Sequence, residues 1–260
     1  MGLRVVLVAL SLLTLVAAPV GQTNPAAART LPAAPSIPRD DTSLAPTVLT
    51  LEPLDYNLGG NTLALELRGA PCAGRTVVKV NYPASLGRNS IDDGVNALDA
   101  LIQSTPGPKL VFGHSQGAQV ASRWLRTHAD GPSAPPAGDL SFLFIGNPLR
   151  KYGGFIVGRP EVDGVIGLPT PNDTRYSVTD IALQYDGWAD APTGPGMLAA
   201  LNAVQGKFAR HSRGYFTADA DDPNRKTYQE NTTTYVLLPA PPVIAGSQSE
   251  IEASYSRPER

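Results

Sequence analysis

Apolar residues follow two different spacings along the chain. Short, nearly unbroken runs occur at 47–51 (TVLTL), 75–82 (RTVVKVNY), 109–113 (KLVFG), 140–148 (LSFLFIGNP), 178–186 (VTDIALQYD) and 232–239 (TTTYVLLP). Runs of this length, rich in Val, Leu, Ile and Phe, predict strands buried on both faces. The stretch 90–105 instead places Ile91, Val95, Leu98, Leu101 and Ile102 at helical spacing. It predicts a helix with Ser90 as its N-cap and Asp92 and Asp93 in its first turn. A second helix is predicted over 115–129, where Ala118, Ala121 and Leu125 share one face and the small residues let it lie close to the strands. GGNTLALELRGA at 59–70 is read as a further helix that crosses back over the sheet. Strands buried on both faces and alternating with helices predict an α/β fold, a mostly parallel, doubly wound sheet with helices on each side.

The patterning weakens towards both ends. Residues 1–28 carry one early cation, Arg4, then an apolar run from Val5 to Ala18, then small residues, the layout of a signal peptide or signal anchor. The run is short beside the roughly 20 residues of a spanning helix. Residues 29–46 hold Pro32, Pro35, Pro38 and Pro46 without periodicity and read as an exported linker. The fold is expected over 47–240, and 241–260, polar and without apolar periodicity, as a disordered tail. Secretion or a place in the cell envelope is the expected location, with membrane association through the N-terminal segment as an option.

Composition narrows the chemistry. A formal net charge of −2 leaves no cationic surplus for a phosphate backbone, so nucleic acid is not an expected partner. Cys72 is the only cysteine, which excludes an intrachain disulfide and reads as a small apolar residue in a Gly/Pro turn. The acids of 219–230 fall at calcium-loop positions, but Pro223 and Asn224 stand where a ligand and a glycine are needed. No metal and no cofactor are expected. NDT at 172 and NTT at 231 match glycosylation sequons by pattern alone.

GHSQG at 113–117 fits G-x-S-x-G, and its setting, an apolar strand before and a helix after, is that of a nucleophile elbow with Ser115 at its tip. A serine needs a base. His114 adjoins the serine and is better suited to packing, and His128 ends the following helix, near its last carbonyls. In this fold the acid and then the base follow the serine in the chain, which leaves His211. Asp186, at a strand end, is preferred as the acid, with Asp190 as the alternative. The backbone N–H of Gln116 is the expected oxyanion donor, with a second donor from the loop 52–57. Between 150 and 176, Phe155, Ile156, Val157, Val165, Ile166 and Leu168 are too apolar for a free loop. They are expected to form a wall of an acyl-binding cleft, or else to cover the sheet edge.

The chain resembles the mycobacterial PE-PPE domain family of serine hydrolases, a cutinase-like branch of the α/β-hydrolases. The likeness rests on GHSQGAQVASRWL, FLFIGNPLRKYGGF, QYDGWADAP, LNAVQGKFARH and TTTYVLLP, in that order across 47–240. It implies Ser115 as nucleophile, Asp186 as acid and His211 as base. A signal-like segment stands where a PE or PPE helical module would be expected, the first strand lacks a glycine-rich turn, and His211 to Tyr215 is one residue longer than the family's H-x-x-Y. The expected function is an exported serine esterase or lipase acting on acyl esters or lipids. The alternatives are an acyltransferase delivering acyl groups to a sugar hydroxyl of a trehalose-type glycolipid and, from another class, an inactive surface-binding module.

Overall fold

The computed structural model describes residues 46–161 and 164–258. The expected signal segment and all of the expected linker but Pro46 lie outside the described residues.

Strands β1 (Thr47–Leu51), β2 (Thr76–Lys79), β3 (Lys109–His114), β4 (Leu140–Ile145), β5 (Ser177–Leu183), β6 (Lys226–Glu230) and β7 (Thr233–Leu238) form one sheet in the order β2-β1-β3-β4-β5-β7-β6. Every neighbouring pair is parallel except β6 with β7. The expected mostly parallel α/β sheet is therefore present. Side chains alternate between two cores, as the twofold period of a strand requires. Leu49, Val111, Phe142, Phe144 and Val178 enter one core, and Val48, Phe112, Ile145, Ile181 and Val236 the other.

The first core is closed by α1 (Arg88–Ser104) and α2 (Gln116–His128). They contribute Ile91, Val95, Leu98 and Ile102, and Ala118, Ala121, Trp124 and Leu125. Trp124 is fully buried, and its ring N–H donates to Asp99 Oδ1 at 2.9 Å. The second core is closed more lightly, by Leu63, Leu67, Cys72, Tyr215 and Ala218. Cys72 is buried there as a free thiol, and burial pushes its pKa up.

Several expectations need correction. Helix α1 starts before Ser90, with Gly87 as its cap and no acid in its first turn; Ser90 Oγ instead accepts from Ser85 N at 3.0 Å. The segment 59–70 is not one helix but two short 3-10 turns, Leu63–Leu65 and Leu67–Gly69, broken where Leu67 and Arg68 take φ of 50° and 57°. The break turns Glu66 inward to a buried partner, His114. The stretch 219–230, for which no metal was expected and which needs no correction, forms Asx turns at Asp219 and Asp222 followed by β6.

The tail from Ala240 is ordered over the described residues. It forms α5 (Gln248–Glu252) and buries Ile251 and Tyr255 against Tyr185 and Ala199. Arg257 locks it down by donating to both oxygens of Asp190, Nε to Oδ1 at 2.7 Å and Nη2 to Oδ2 at 2.6 Å.

Candidate functional site

Ser115 joins β3 to α2 with φ 53° and ψ −113°. A non-glycine residue in such a conformation costs on the order of 1–3 kcal/mol and persists only where its surroundings enforce it. Here α2 begins in backbone contact with β1 and β3. A Cβ on Gly117 would collide with the carbonyl oxygen of Leu51, and one on Gly113 would stand 2.9 Å from Ala118 N. The two glycines thus let α2 start close enough to turn Ser115 outward at the carboxyl end of the strand.

His211 arrives from the other side of the sheet edge. Helix α3 (Met197–Ala209) packs backbone to backbone on the turn 185–187. A Cβ on Gly206 would strike Tyr185 O, and one on Gly187 would strike Ala203 O. His211 N donates to Gly206 O at 3.1 Å, which ties the imidazole to the end of that helix. Gly146, at φ 55°, clears the space between the rings: a Cβ there would lie 3.0 Å from atoms of both His114 and His211.

These constraints bring three side chains into one relay. His211 Nε2 lies 2.8 Å from Ser115 Oγ, and His211 Nδ1 lies 3.0 Å from both carboxylate oxygens of Asp186. The carboxylate can only accept, so Nδ1 carries the proton and Nε2 is left to accept from the serine hydroxyl. Asp186 is buried and also accepts from Trp188 N at 2.9 Å and Tyr215 Oη at 2.8 Å. Burial alone would raise its pKa, but the His211 ring and these two donors outweigh that and hold the carboxyl below its usual range. Burial and the Asp186 charge push the Tyr215 phenol well above its usual value, which keeps it a donor.

The other sequence candidates are engaged elsewhere. Asp190 holds Arg257 and accepts from Tyr185 N at 2.7 Å, so it anchors the C-terminal segment and does not touch His211. His114 is buried, its Nδ1 lies 3.1 Å from Glu66 Oε1, and its ring sits 4.9 Å from that of His211 and 5.3 Å from that of Tyr215. Burial disfavours its cation, yet Glu66, by charge and hydrogen bond, together with Asp186 and Glu52 raises its pKa. His128 stacks on Trp124 at 5.7 Å and meets Thr127 Oγ1 at 2.7 Å rather than the last carbonyls of α2.

Gln116 is the first residue of α2, so its N–H is one of the donors a helix start leaves without an intrahelical acceptor. Its side chain is fixed, donating to Ser85 O at 2.8 Å and accepting from Ser90 Oγ at 3.2 Å. In the loop 52–57, Pro53 has no N–H, while Tyr56 N and Asn57 N donate to Ala84 O and Asp55 Oδ1. A second oxyanion donor from this loop would therefore come from residues 52, 54 or 55.

The apolar positions of 150–176 divide between two places. Phe155 lies edge-on to Trp188 at 5.3 Å, and Trp188 lies 6.1 Å from the His211 ring. Ile156 packs partly buried on the first core and Val157 is half-buried. Val165 and Ile166 line a cavity of about 100 Å³ with Ile91, Leu149 and Gln119, one helical turn beyond Ser115, while Leu168 stays exposed. Sequence reasoning missed Tyr215 and Trp188 as partners of the acid. The only signal for Tyr215 was its spacing from His211, which looked like a departure.

The description "PE-PPE domain" fits residues 73–243. Curated relatives from Mycobacterium tuberculosis (strain ATCC 25618 / H37Rv) include the SL1278 acyltransferase Chp1, 38% identical over 179 residues, 63% of this chain and 42% of that protein. Esterase PE16 is 37% identical over 142 residues, 50% of this chain and 27% of its own length. The diacyltrehalose acyltransferase Chp2 is 30% identical over 166 residues, 58% of this chain and 46% of its own length. The chain thus spans less than half the length of these relatives. With a mostly parallel sheet, a strand–serine–helix elbow and a family match over most of the described residues, the chain belongs to the PE-PPE domain family of α/β-hydrolase fold.

Proposed function

We propose that this protein is an exported serine esterase that works through an acyl-enzyme on Ser115. The observation that carries the reading is the unbroken relay from Ser115 Oγ through His211 to Asp186, at 2.8 Å and 3.0 Å. His211 Nε2 takes the hydroxyl proton as Oγ attacks the ester carbonyl. The tetrahedral oxyanion faces Gln116 N–H, a kind of donor whose removal costs about 10²–10³ in kcat in other enzymes. The collapsing intermediate expels the alcohol, which leaves with the proton held on His211, and Ser115 remains acylated. Water, deprotonated by the same imidazole, then attacks the acyl-serine and releases the acid. Asp186 stays ionised throughout and stabilises the imidazolium. Export rests on the signal-like layout of residues 1–28.

A second reading keeps these steps but replaces the water with a sugar hydroxyl. It is favoured by the two relatives whose names describe acyltransferases. Incubation with a p-nitrophenyl acyl ester, with and without trehalose, followed by mass spectrometry of the products separates the two. Free acid formed equally in both tubes supports the esterase. Acyl-trehalose accumulating at the expense of acid supports the transferase, and no turnover in either tube would contradict both.

A further inference from the structure

Helix α3 is amphipathic in the reverse of the usual sense. The face it turns to the protein is made of Ala199, Asn202, Ala203 and Gly206, all buried, with Leu198 half-buried beside Tyr185 and Ile251, whereas four of its large apolar side chains point outward. Met197 is 78% exposed, Leu201 52%, Val204 51% and Phe208 71%. Their spacing places them in one stripe along the helix. The inner face needs small residues because α3 lies against the 185–187 backbone, but that need says nothing about the outer face. A soluble surface helix would carry polar residues there.

The stripe runs up to the relay. Beyond Phe208 the chain continues directly to His211, and Lys207 Nζ sits 4.1 Å over the Trp188 ring, itself beside His211. The segment 197–218 carries Lys207, Arg210 and Arg213 and no Asp or Glu, in a chain whose net charge is −2, while the neighbouring α5 carries Glu250 and Glu252. Lys207 is held over the Phe155 and Trp188 rings, which leaves Arg213 as the exposed cation. Leu58 and Leu86, exposed in the loops that follow β1 and β2, stand at the same carboxyl edge of the sheet as Ser115. Among the described residues no helix is long and apolar enough to cross a membrane.

We propose that the outer face of α3 is an interfacial docking surface that seats the site on an anionic lipid surface. The apolar stripe enters the boundary between headgroups and acyl chains, and Arg213, exposed just beyond its end, meets the lipid phosphates. The face is distinct from the apolar run at 5–18, and its role rests on the serine-hydrolase reading only for the nature of the substrate it presents.

The test compares the full chain with its Leu201→Gln/Phe208→Gln and Gln205→Leu variants, so that the N-terminal run is common to all. Each is co-sedimented with vesicles of phosphatidylcholine containing about one third phosphatidylglycerol and assayed on a water-soluble butyrate ester. The double variant is expected to partition at least about tenfold more weakly, while Gln205→Leu, which widens the stripe, partitions more strongly. Raised salt weakens the wild type, and all three turn over the soluble ester alike. Equal partitioning of the three proteins would overturn the proposal, as would a wild-type dimer that the double variant converts to a monomer, since a second copy would then cover the face. Ser115→Ala is expected to partition like the wild type. Vesicle binding by a wild type that turns over no ester would count against the serine reading and leave the docking face standing.

Discussion

Removing one oxygen atom from Tyr215 tests how the acid is held. Tyr215→Phe keeps the ring beside His114 but deletes a hydroxyl that donates to Asp186 Oδ2 at 2.8 Å and accepts from Leu183 N at 3.1 Å. Both partners are buried. A hydrogen bond to a charged group contributes about 1.5–3 kcal/mol, and a stranded buried N–H costs about 1–3 kcal/mol. The two interactions share one oxygen and do not add fully, so a loss of about 3 kcal/mol is expected near neutral pH. The pH dependence separates the parts. The folded pKa of Asp186 is depressed, so its contribution is complete above the unfolded value of about 3.9 and is lost as pH falls through the folded value. Tyr215→Phe moves the folded pKa upward. The stability gap between the two proteins is therefore largest at neutral pH and narrows below roughly pH 4, where the remainder reports the stranded Leu183 N–H. Urea unfolding across this range measures it, and kcat should fall about tenfold with KM unchanged, because Tyr215 acts only through Asp186. A gap independent of pH, or one below about 0.5 kcal/mol, would refute the view that this hydroxyl holds the carboxylate.

Other perturbations address the geometry around the relay. Ser115→Gly relieves the backbone strain at φ 53° and should raise unfolding free energy by about 1 kcal/mol while abolishing ester turnover; a destabilised variant would argue against strain. Gly206→Ala drives a methyl into Tyr185 O and should cost about 1–3 kcal/mol together with most activity, read by thermal melting and kcat; an unperturbed variant would show that α3 does not fix the His211 position. Asp190→Asn removes one of the two carboxylates that hold Arg257, Glu252 being the other, and should destabilise by about 1.5–3 kcal/mol, yet its folded fraction should still be labelled by a fluorophosphonate. Asp186→Asn should lose labelling while retaining the C-terminal anchor. The reverse pattern would exchange the roles of the two carboxylates.

Local sequence carried the parts of the fold that local chemistry decides. The strand runs and the two long helices were legible because burial on both faces and a 3.6-residue stripe leave direct marks. The segment 59–70 was misread because its helical spacing was genuine, whereas what breaks it is the recruitment of Glu66 by His114, 48 residues away. The tail was misread for the same reason: it is ordered by Arg257 on Asp190, a contact across 67 residues that no window contains. Helix α3 escaped notice because its inner face is mostly small residues while Met197, Leu201, Val204 and Phe208 lie outward, so the apolar pattern does not mark the buried side. At the site, G-x-S-x-G and the order of acid and base pointed to Ser115, Asp186 and His211, which the structure brings together. The hydroxyl of Tyr215 was invisible because its role depends on the path of the chain between α3 and α4 (Gly214–Thr217).

The most direct test of the central reading is to quench the protein seconds after mixing with p-nitrophenyl butyrate and to measure its intact mass, then map the modified peptide. The account expects one butyryl group, on the peptide containing Ser115, that disappears as turnover ends and never forms in Ser115→Ala. An adduct on another residue, or turnover that persists in Ser115→Ala, would contradict it.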